Sequence, residues 1–328
     1  MKVFVAGGAG YIGSITVEAL LAKGHNVLVY DSLVYGHRAA VTDGACFVEG
    51  DLGDFDKLRG AMKDFGAEAV MHFAAFIAVG ESVEHPNKYY RNNVTNAMNA
   101  LEALRLAGGK YFIFSSTAAV YGEPQYVPID EDHPIAPQNP YGHSKRMFEI
   151  ILESYDTAYG IKHVAPRYFN AAGATRRLGE DHRPETHLIP LVIDAALGRR
   201  ENITIFGTDY STPGGTCVRD YIHVSDLAEA HLLALDYLYA GGKSARLNLG
   251  NGAGYSVREV IESVARVSGR KVPVVETGRR AGDASSLVAS SGLARAALGW
   301  KPKHPGLDDI VRSAWRWREA HPNGYGDH

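Results

Sequence analysis

Cysteine is nearly absent from this sequence: only Cys46 and Cys217 occur in 328 residues, far apart and in no metal-like spacing. They suit a reducing compartment, where both are expected to be free thiols. A basic excess is also missing. Lysine and arginine total 34 against 37 acidic residues, for a formal net charge of −3, so nothing in the composition draws the chain to nucleic acid or to an anionic membrane surface. No apolar run approaches the roughly 20 residues a membrane-spanning helix needs, and the alanine-rich stretches are broken by charges. Met1-Lys2 passes directly into VFVAGG, without the charged region, apolar run and cleavage site of a secretory signal. A cytoplasmic chain with no nucleic-acid or membrane partner is expected. Internal repeats and low-complexity tracts are not found, and no metal site is expected.

What is present is the composition of an ordinary globular protein, 45% apolar and 22% charged. Single cores stop growing at roughly 250–300 residues, so two lobes are expected. Through the first half, short apolar runs alternate with longer helical patterns. The runs are VFVA (3–6), NVLVY (26–30), ACFVE (45–49), AVMHFA (69–74), YFIFSS (111–116) and KHVAPRYF (162–169). Helical patterns lie near 11–23, 54–65, 86–107 and 141–159. Strands separated by helices imply right-handed crossovers and a parallel sheet covered on both faces. The expected fold class is therefore α/β: a doubly wound, Rossmann-like parallel sheet with a second, smaller α+β substrate lobe. Beyond residue 170 the rhythm breaks into loops such as AAGATRRLGEDHRPETH, a helix near 188–199 and short strands such as ITIFG. Residues 1–169 are read as the first domain, with 218–238 returning to it, and 170–328 as the second lobe.

GGAGYIG (7–13) follows the first strand and opens the first helix. Gly8, Gly10 and Gly13 read as G-x-G-x-x-G, and Gly7, Gly10 and Gly13 as G-x-x-G-x-x-G. In either register the glycines permit a tight turn, let backbone approach a pyrophosphate and aim a helix N-terminus at it. About 20 residues on, the second strand ends at Asp31, where a carboxylate accepts from both ribose hydroxyls and repels a 2′-phosphate. NAD is thus expected rather than NADP, with Arg38 too far along to reverse the preference. Asp51 either accepts from the adenine amino group or caps the following helix.

YGHSK (141–145) places a phenol and an ammonium on one helical face. If that face meets the nicotinamide, Lys145 and the oxidised ring both favour phenolate and bring Tyr141 down from its ordinary pKa of about 10 toward a usable base. Thr117 stands at the carboxyl end of the fifth strand, where its hydroxyl can bridge phenolate and substrate.

These stretches, with HFAAFIAVGES, NNV, RYFNAAG, FGTDY, VRDYIHVSDLA, NLG, GRRAGD and a terminal WRW, resemble the short-chain dehydrogenase/reductase superfamily over nearly the whole chain. Within it, the resemblance is to the extended, nucleotide-sugar-modifying branch and its 4-epimerases. It implies that Tyr141 is base and acid, that Lys145 sets its pKa and contacts a ribose, and that Thr117 fills the place of the catalytic Ser/Thr. It further implies that NAD is lined by Tyr11, Ile12, Leu52, Phe73, Ala74, Ala75, Asn92, Ser115 and Tyr168. On the substrate side it implies Asn170 and Arg219 on the nucleotide diphosphate, Arg280 and Asp283 near phosphate and uridine ribose, and contacts from Leu188 and Phe206. The implied activity interconverts UDP-glucose and UDP-galactose. Tyr141 takes the proton of the sugar 4-hydroxyl as hydride leaves C4 for NAD, the 4-keto sugar turns over, and the hydride returns to the other face. A homodimer is implied as well, pairing the helices near 86–107 and 141–159 into a four-helix bundle.

Three positions depart from the pattern. Ile77 stands where some of these epimerases have a lysine near the cofactor pyrophosphate, so NAD is expected to be held less tightly. His187 replaces an asparagine on the substrate phosphate, and either side chain can donate. Leu287 aligns with the residue whose bulk limits the sugar pocket and is intermediate in size, which favours glucose and galactose with leakage to N-acetylhexosamines or pentoses. UDP-N-acetylglucosamine and UDP-xylose/UDP-arabinose 4-epimerases are therefore the alternatives. Ala118 and Ala119 after Thr117 cannot transfer protons, which disfavours the sister dehydratases. A non-catalytic NAD-binding sensor would not need Tyr141, Lys145 and Thr117 together.

Overall fold

Val3 and Val5 point to one face of the first strand and Phe4 and Ala6 to the other, and all four are fully buried. A strand buried on both faces belongs in the middle of a sheet sandwiched between helices. The computed structural model describes residues 1–280 and 283–326. In it, that strand (β1, Lys2–Ala6) is followed by β2 (Asn26–Asp31), β3 (Cys46–Glu49), β4 (Ala69–His72), β5 (Tyr111–Phe114), β6 (Ser116–Thr117) and β7 (Lys162–Tyr168). Next come β8 (Asn170–Ala172), β9 (Ile203–Phe206), β10 (Val218–His223) and β11 (Ala245–Leu249). The large sheet runs β11-β7-β5-β4-β1-β2-β3, with β6 alongside β7 and every pairing parallel. Strand order reverses between β1 and β4, which opens a crevice at the carboxyl ends of the strands.

The helices are α1 (Tyr11–Ala22), α2 (Phe55–Phe65), α3 (Val79–Glu84), α4 (Pro86–Tyr90), α5 (Ala97–Ala107), α6 (Pro140–Tyr159), α7 (Leu188–Ala196) and α8 (Val224–Tyr239), of which α1, α2, α5, α6 and α8 cover the large sheet. On one face Val3, Val5 and Val29 pack with Val17 and Leu20 of α1 and Leu227 and Leu235 of α8. On the other, Phe4, Leu28 and Phe112 pack with Leu58 of α2, Leu101 and Leu104 of α5, and Phe148 and Leu152 of α6. Each such side chain contributes roughly 1.5–3 kcal/mol by leaving water, and together they hold the strand ends as a rigid platform.

The helix expected near 86–107 is not uniform. A π-helical segment, Arg91–Asn96, separates α4 from α5. The wider turn lets Asn93 face inward: its amide accepts from the Phe76 backbone N–H at 2.9 Å and donates to the Phe76 carbonyl at 2.9 Å and to Ser144 Oγ at 3.2 Å. One side chain thus ties the loop after β4 to α6.

The second lobe has its own small sheet. There β10 pairs with β8, with β12 (Gly254–Ser256) and, after β13 (Val274–Thr277), with β14 (Ser286–Leu287). Ile189 and Val192 of α7 pack with Val260 and Val264 of helix Val257–Ser268 and with Ile310 and Val311 of helix Leu307–Ala320. Residues 218–238 divide between the layers: β10 lies in the small sheet, α8 packs on the large one, and β11 then extends it. Cys46 is exposed and Cys217 buried, and both are free. Among the described residues no helix is long and apolar enough to cross a membrane.

Candidate active site

The crevice at the strand ends is a cavity of about 470 Å³. At one end the chain leaves β1 through Gly7, which has φ +79°, and a Cβ there would meet the Ala74 backbone nitrogen at 2.5 Å. A Cβ on Gly13 would lie 2.1 Å from the Gly7 carbonyl oxygen. Neither clash can be relieved by a side-chain rotation, so only glycine closes this turn. Of the two readings of the motif, the one beginning at Gly7 describes the bend. Gly10 precedes α1 with no side chain capping the helix, which leaves its first N–H groups open toward the cavity.

Asp31 ends β2 at the rim, 8% exposed. One carboxylate oxygen accepts from the Ala9 N–H and the other from the Leu33 N–H, each at 2.9 Å. Burial pushes its carboxyl up, and these two backbone donors oppose the shift. Each oxygen keeps a second lone pair for a ligand. Asp51 also lines the cavity, and Asp54 rather than Asp51 caps α2, accepting from the Lys57 N–H at 3.2 Å. The remaining walls here include Tyr11, Ile12, Leu52, Phe73, Ala74, Ala75, Ile77 and Asn92.

At the far wall, α6 starts where Asn139 caps it, accepting from the Gly142 N–H at 2.9 Å, with Pro140 in the first turn. Tyr141 and Lys145 therefore share the cavity face of the helix, and the Lys145 ammonium lies 6.0 Å from the centre of the Tyr141 ring. Tyr141 faces Thr117, whose hydroxyl favours the phenolate and whose Oγ1 accepts from the Ala119 N–H at 3.1 Å. Lys145, 2% exposed, donates to the Ser115 carbonyl at 2.8 Å. The Ser115 hydroxyl meets Tyr168 OH in a short hydrogen bond.

The proton energetics differ from the expectation. Burial pushes the Tyr141 phenol above its ordinary value, with Thr117 pulling it back in part. Burial also brings Lys145 down to about 7, against the pull of Glu149. Desolvation is the larger influence on both groups.

Residues 3–250 match the NAD dependent epimerase/dehydratase family. The chain belongs to that family. It is 49% identical over 329 residues to the UDP-glucose 4-epimerase of Lacticaseibacillus casei, covering 100% of this chain and 99% of the other. The crystal structure of UDP-glucose 4-epimerase from Brucella ovis in complex with NAD superposes with a TM-score of 0.94 at 48% identity, covering 96% of this chain and 97% of that one. The Bifidobacterium longum UDP-glucose 4-epimerase in complex with NAD⁺ and UDP gives 0.93 at 36% identity, covering 99% and 100%. NAD is the cofactor of this epimerase/dehydratase chain. The site fits it: the glycine-only turn aims the uncapped N-terminus of α1 at the cavity, where a pyrophosphate can be met by backbone N–H groups, and Asp31 at the end of β2 presents two carboxylate oxygens with lone pairs to spare.

The structure brings 20 expected residues onto the cavity wall, Asn170, His187 and Leu287 among them, and leaves five off it. Leu188 begins α7 and packs on the second-lobe core. Arg280 pairs with Asp283 through contacts of 2.8 and 3.1 Å and lies over the Phe206 ring at 5.4 Å. Arg219 donates to the Val218 and Ala284 carbonyls, each at 2.9 Å, with Asp283 4.0 Å away. This cluster abuts the cavity all the same, because Arg219 is the register partner of Leu287.

Sequence reasoning missed several wall residues, notably Tyr30, Tyr35, Phe76, Phe169, Glu180 and His182. Burial disfavours charge on His187, but Glu180 and Glu185 outweigh it and hold the imidazole well above its ordinary value. Burial likewise opposes the Glu180 carboxylate, which His187 and His182 hold well below the usual range. The signal was present as two glutamates and two histidines within GEDHRPETH.

Proposed function

We propose that the chain is an NAD-dependent 4-epimerase that interconverts UDP-glucose and UDP-galactose. The carrying observation is the convergence of a phenol, a threonine hydroxyl and a buried ammonium on one cavity whose other end is a glycine-only turn beside an acceptor carboxylate. In this reading the Gly7–Gly13 turn, Asp31 and Asp51 hold the cofactor, with Lys145 on a ribose. Bound there, NAD would supply a hydride acceptor and donor for sugar C4 and, in its oxidised form, a positive charge that favours phenolate. Tyr141 takes the proton of the 4-hydroxyl and gives it back, with Thr117 holding the phenolic oxygen toward the sugar. Asn170, His187, Arg219 and the Arg280–Asp283 pair anchor the UDP, assisted by Leu188 and Phe206, while the sugar stays free to turn over. Arginine suits that task because its fork grips phosphate oxygens in pairs.

Ala118 and Ala119 line the wall beside Thr117 and offer no acid or base, which supports epimerisation over elimination. Leu287 leaves more room than a tyrosine, so UDP-N-acetylhexosamines and UDP-pentoses are minor substrates. Turnover of UDP-N-acetylglucosamine at a rate comparable with UDP-galactose would refute that ranking. Residues 1–169 serve the cofactor and 170–328 the UDP-sugar.

A homodimer in the cytoplasm completes the proposal. Met98 and Leu106 of α5 and Met147 and Ile150 of α6 are exposed apolar side chains suited to a shared helix bundle. Sedimentation as a monomer at micromolar concentration would remove the dimer.

The deciding assay incubates purified protein with UDP-galactose and no added NAD. UDP-glucose should appear without lasting NADH absorbance. A cofactor spectral change with no product would instead favour the sensor reading.

A further inference from the structure

Residues 180–187 carry the pattern E-x-H-x-x-E-x-H, and the fold gathers all four side chains. His187 Nδ1 lies 2.8 Å from Glu180 Oε1 and 2.9 Å from Glu185 Oε1. His182 Nδ1 lies 3.2 Å from the same Glu180 oxygen. One donor atom from each residue lies within 4.8 Å of all the others. A tetrahedral zinc ion bonded at about 2.0–2.2 Å spaces its ligand atoms roughly 3.3 Å apart, so three of these contacts are already near the required spacing.

Burial makes the cluster more than a solvated charge patch. The Glu180 and Glu185 side chains are 7% and 8% exposed. Glu185 Oε1 accepts from the Thr186 and His187 backbone N–H groups at 2.8 and 2.9 Å, whereas Glu185 Oε2 is buried with no hydrogen-bond partner. A buried carboxylate oxygen left unpaired is costly, and a cation is the partner that removes the cost.

We infer that Glu180, His182, Glu185 and His187 form a binding site for a divalent transition-metal ion of the zinc class. Two imidazoles among four ligands select zinc, cobalt or nickel over magnesium and calcium, which require oxygen donors throughout. Glu180, His182 and His187 also line the cavity, so the bound ion sits in its wall and fixes the segment that precedes α7. The inference does not depend on which sugar the enzyme turns over.

The test uses chelator-treated full-length protein carrying Cys46→Ser, which removes the exposed thiol. Co²⁺ is titrated with visible absorption as the readout, and Zn²⁺ by calorimetry. The expected result is one equivalent per chain and the Co²⁺ spectrum of a four-coordinate site. Affinity should fall at least tenfold in Glu185→Gln and in His182→Asn, each with an unchanged far-UV circular dichroism spectrum. Should either variant fail to fold, Co²⁺-induced paramagnetic shifts of the His182 and His187 ring protons in the parent protein decide the matter. No stoichiometric binding, unchanged affinity in both variants, or an absence of those shifts would overturn the inference.

Discussion

At the scale of single residues, desolvation sets the protons at the reaction centre. Lys145 has a pKa of about 7 in the fold, below its unfolded value. Between about pH 7 and 10 the unfolded chain therefore binds more protons than the native one, and stability rises with pH. Denaturant unfolding of the cofactor-free protein should show this rise, and Lys145→Met should flatten it. Ile77 lines the cavity and is 43% exposed, offering no charge to a pyrophosphate. Ile77→Lys should slow NAD release about tenfold, the worth of one charge-assisted hydrogen bond, as measured by cofactor exchange. An unchanged release rate would remove Ile77 from the account of cofactor affinity. Tyr141, Lys145 and Thr117 were legible because helical spacing and strand polarity dictate where such side chains point. The environment of Arg219 was not, since its partner, the Ala284 carbonyl, lies 65 residues along the chain and meets it only in the folded second lobe.

Elements add constraints that no single residue carries. The turn between β1 and α1 closes so tightly that Gly13→Ala must push the Gly7 carbonyl away from the helix. The variant should fold yet lose at least ten times in NAD affinity by fluorescence titration, and wild-type affinity would show that the turn has slack. Capping explains why α6 presents its face so reliably: Asn139 and Pro140 set its first turn. The π-helical segment before α5 was not readable, because α and π hydrogen bonding differ little locally. What selects it is the fit of Asn93 between Phe76 and Ser144, a contact made only once α6 is packed.

For the whole molecule, two features dominate: a sheet completed late in the sequence and a core holding neutral imidazoles. The first half of the sheet was legible from alternation, whereas β11 was missed because a short strand preceded by α8 joins β7 from far along the chain. His72 falls to about 3, and His163, His223 and His231 to about 4, all chiefly through burial. Each lies below its unfolded value of about 6.5, so the unfolded chain takes up protons that the native one refuses. Stability present above pH 6.5 is then lost as the pH falls toward 4, at up to roughly 3 kcal/mol per histidine. Denaturant unfolding from pH 7 to 4.5 should show this decline with net proton uptake, and a flat profile would mean that these rings are solvated. The central claim, proton transfer by the Tyr141 phenol in this cavity, is tested most directly by Tyr141→Phe. The account predicts that the UDP-galactose to UDP-glucose rate falls roughly 10²–10⁴-fold with NAD still bound. An undiminished rate in that variant would contradict it.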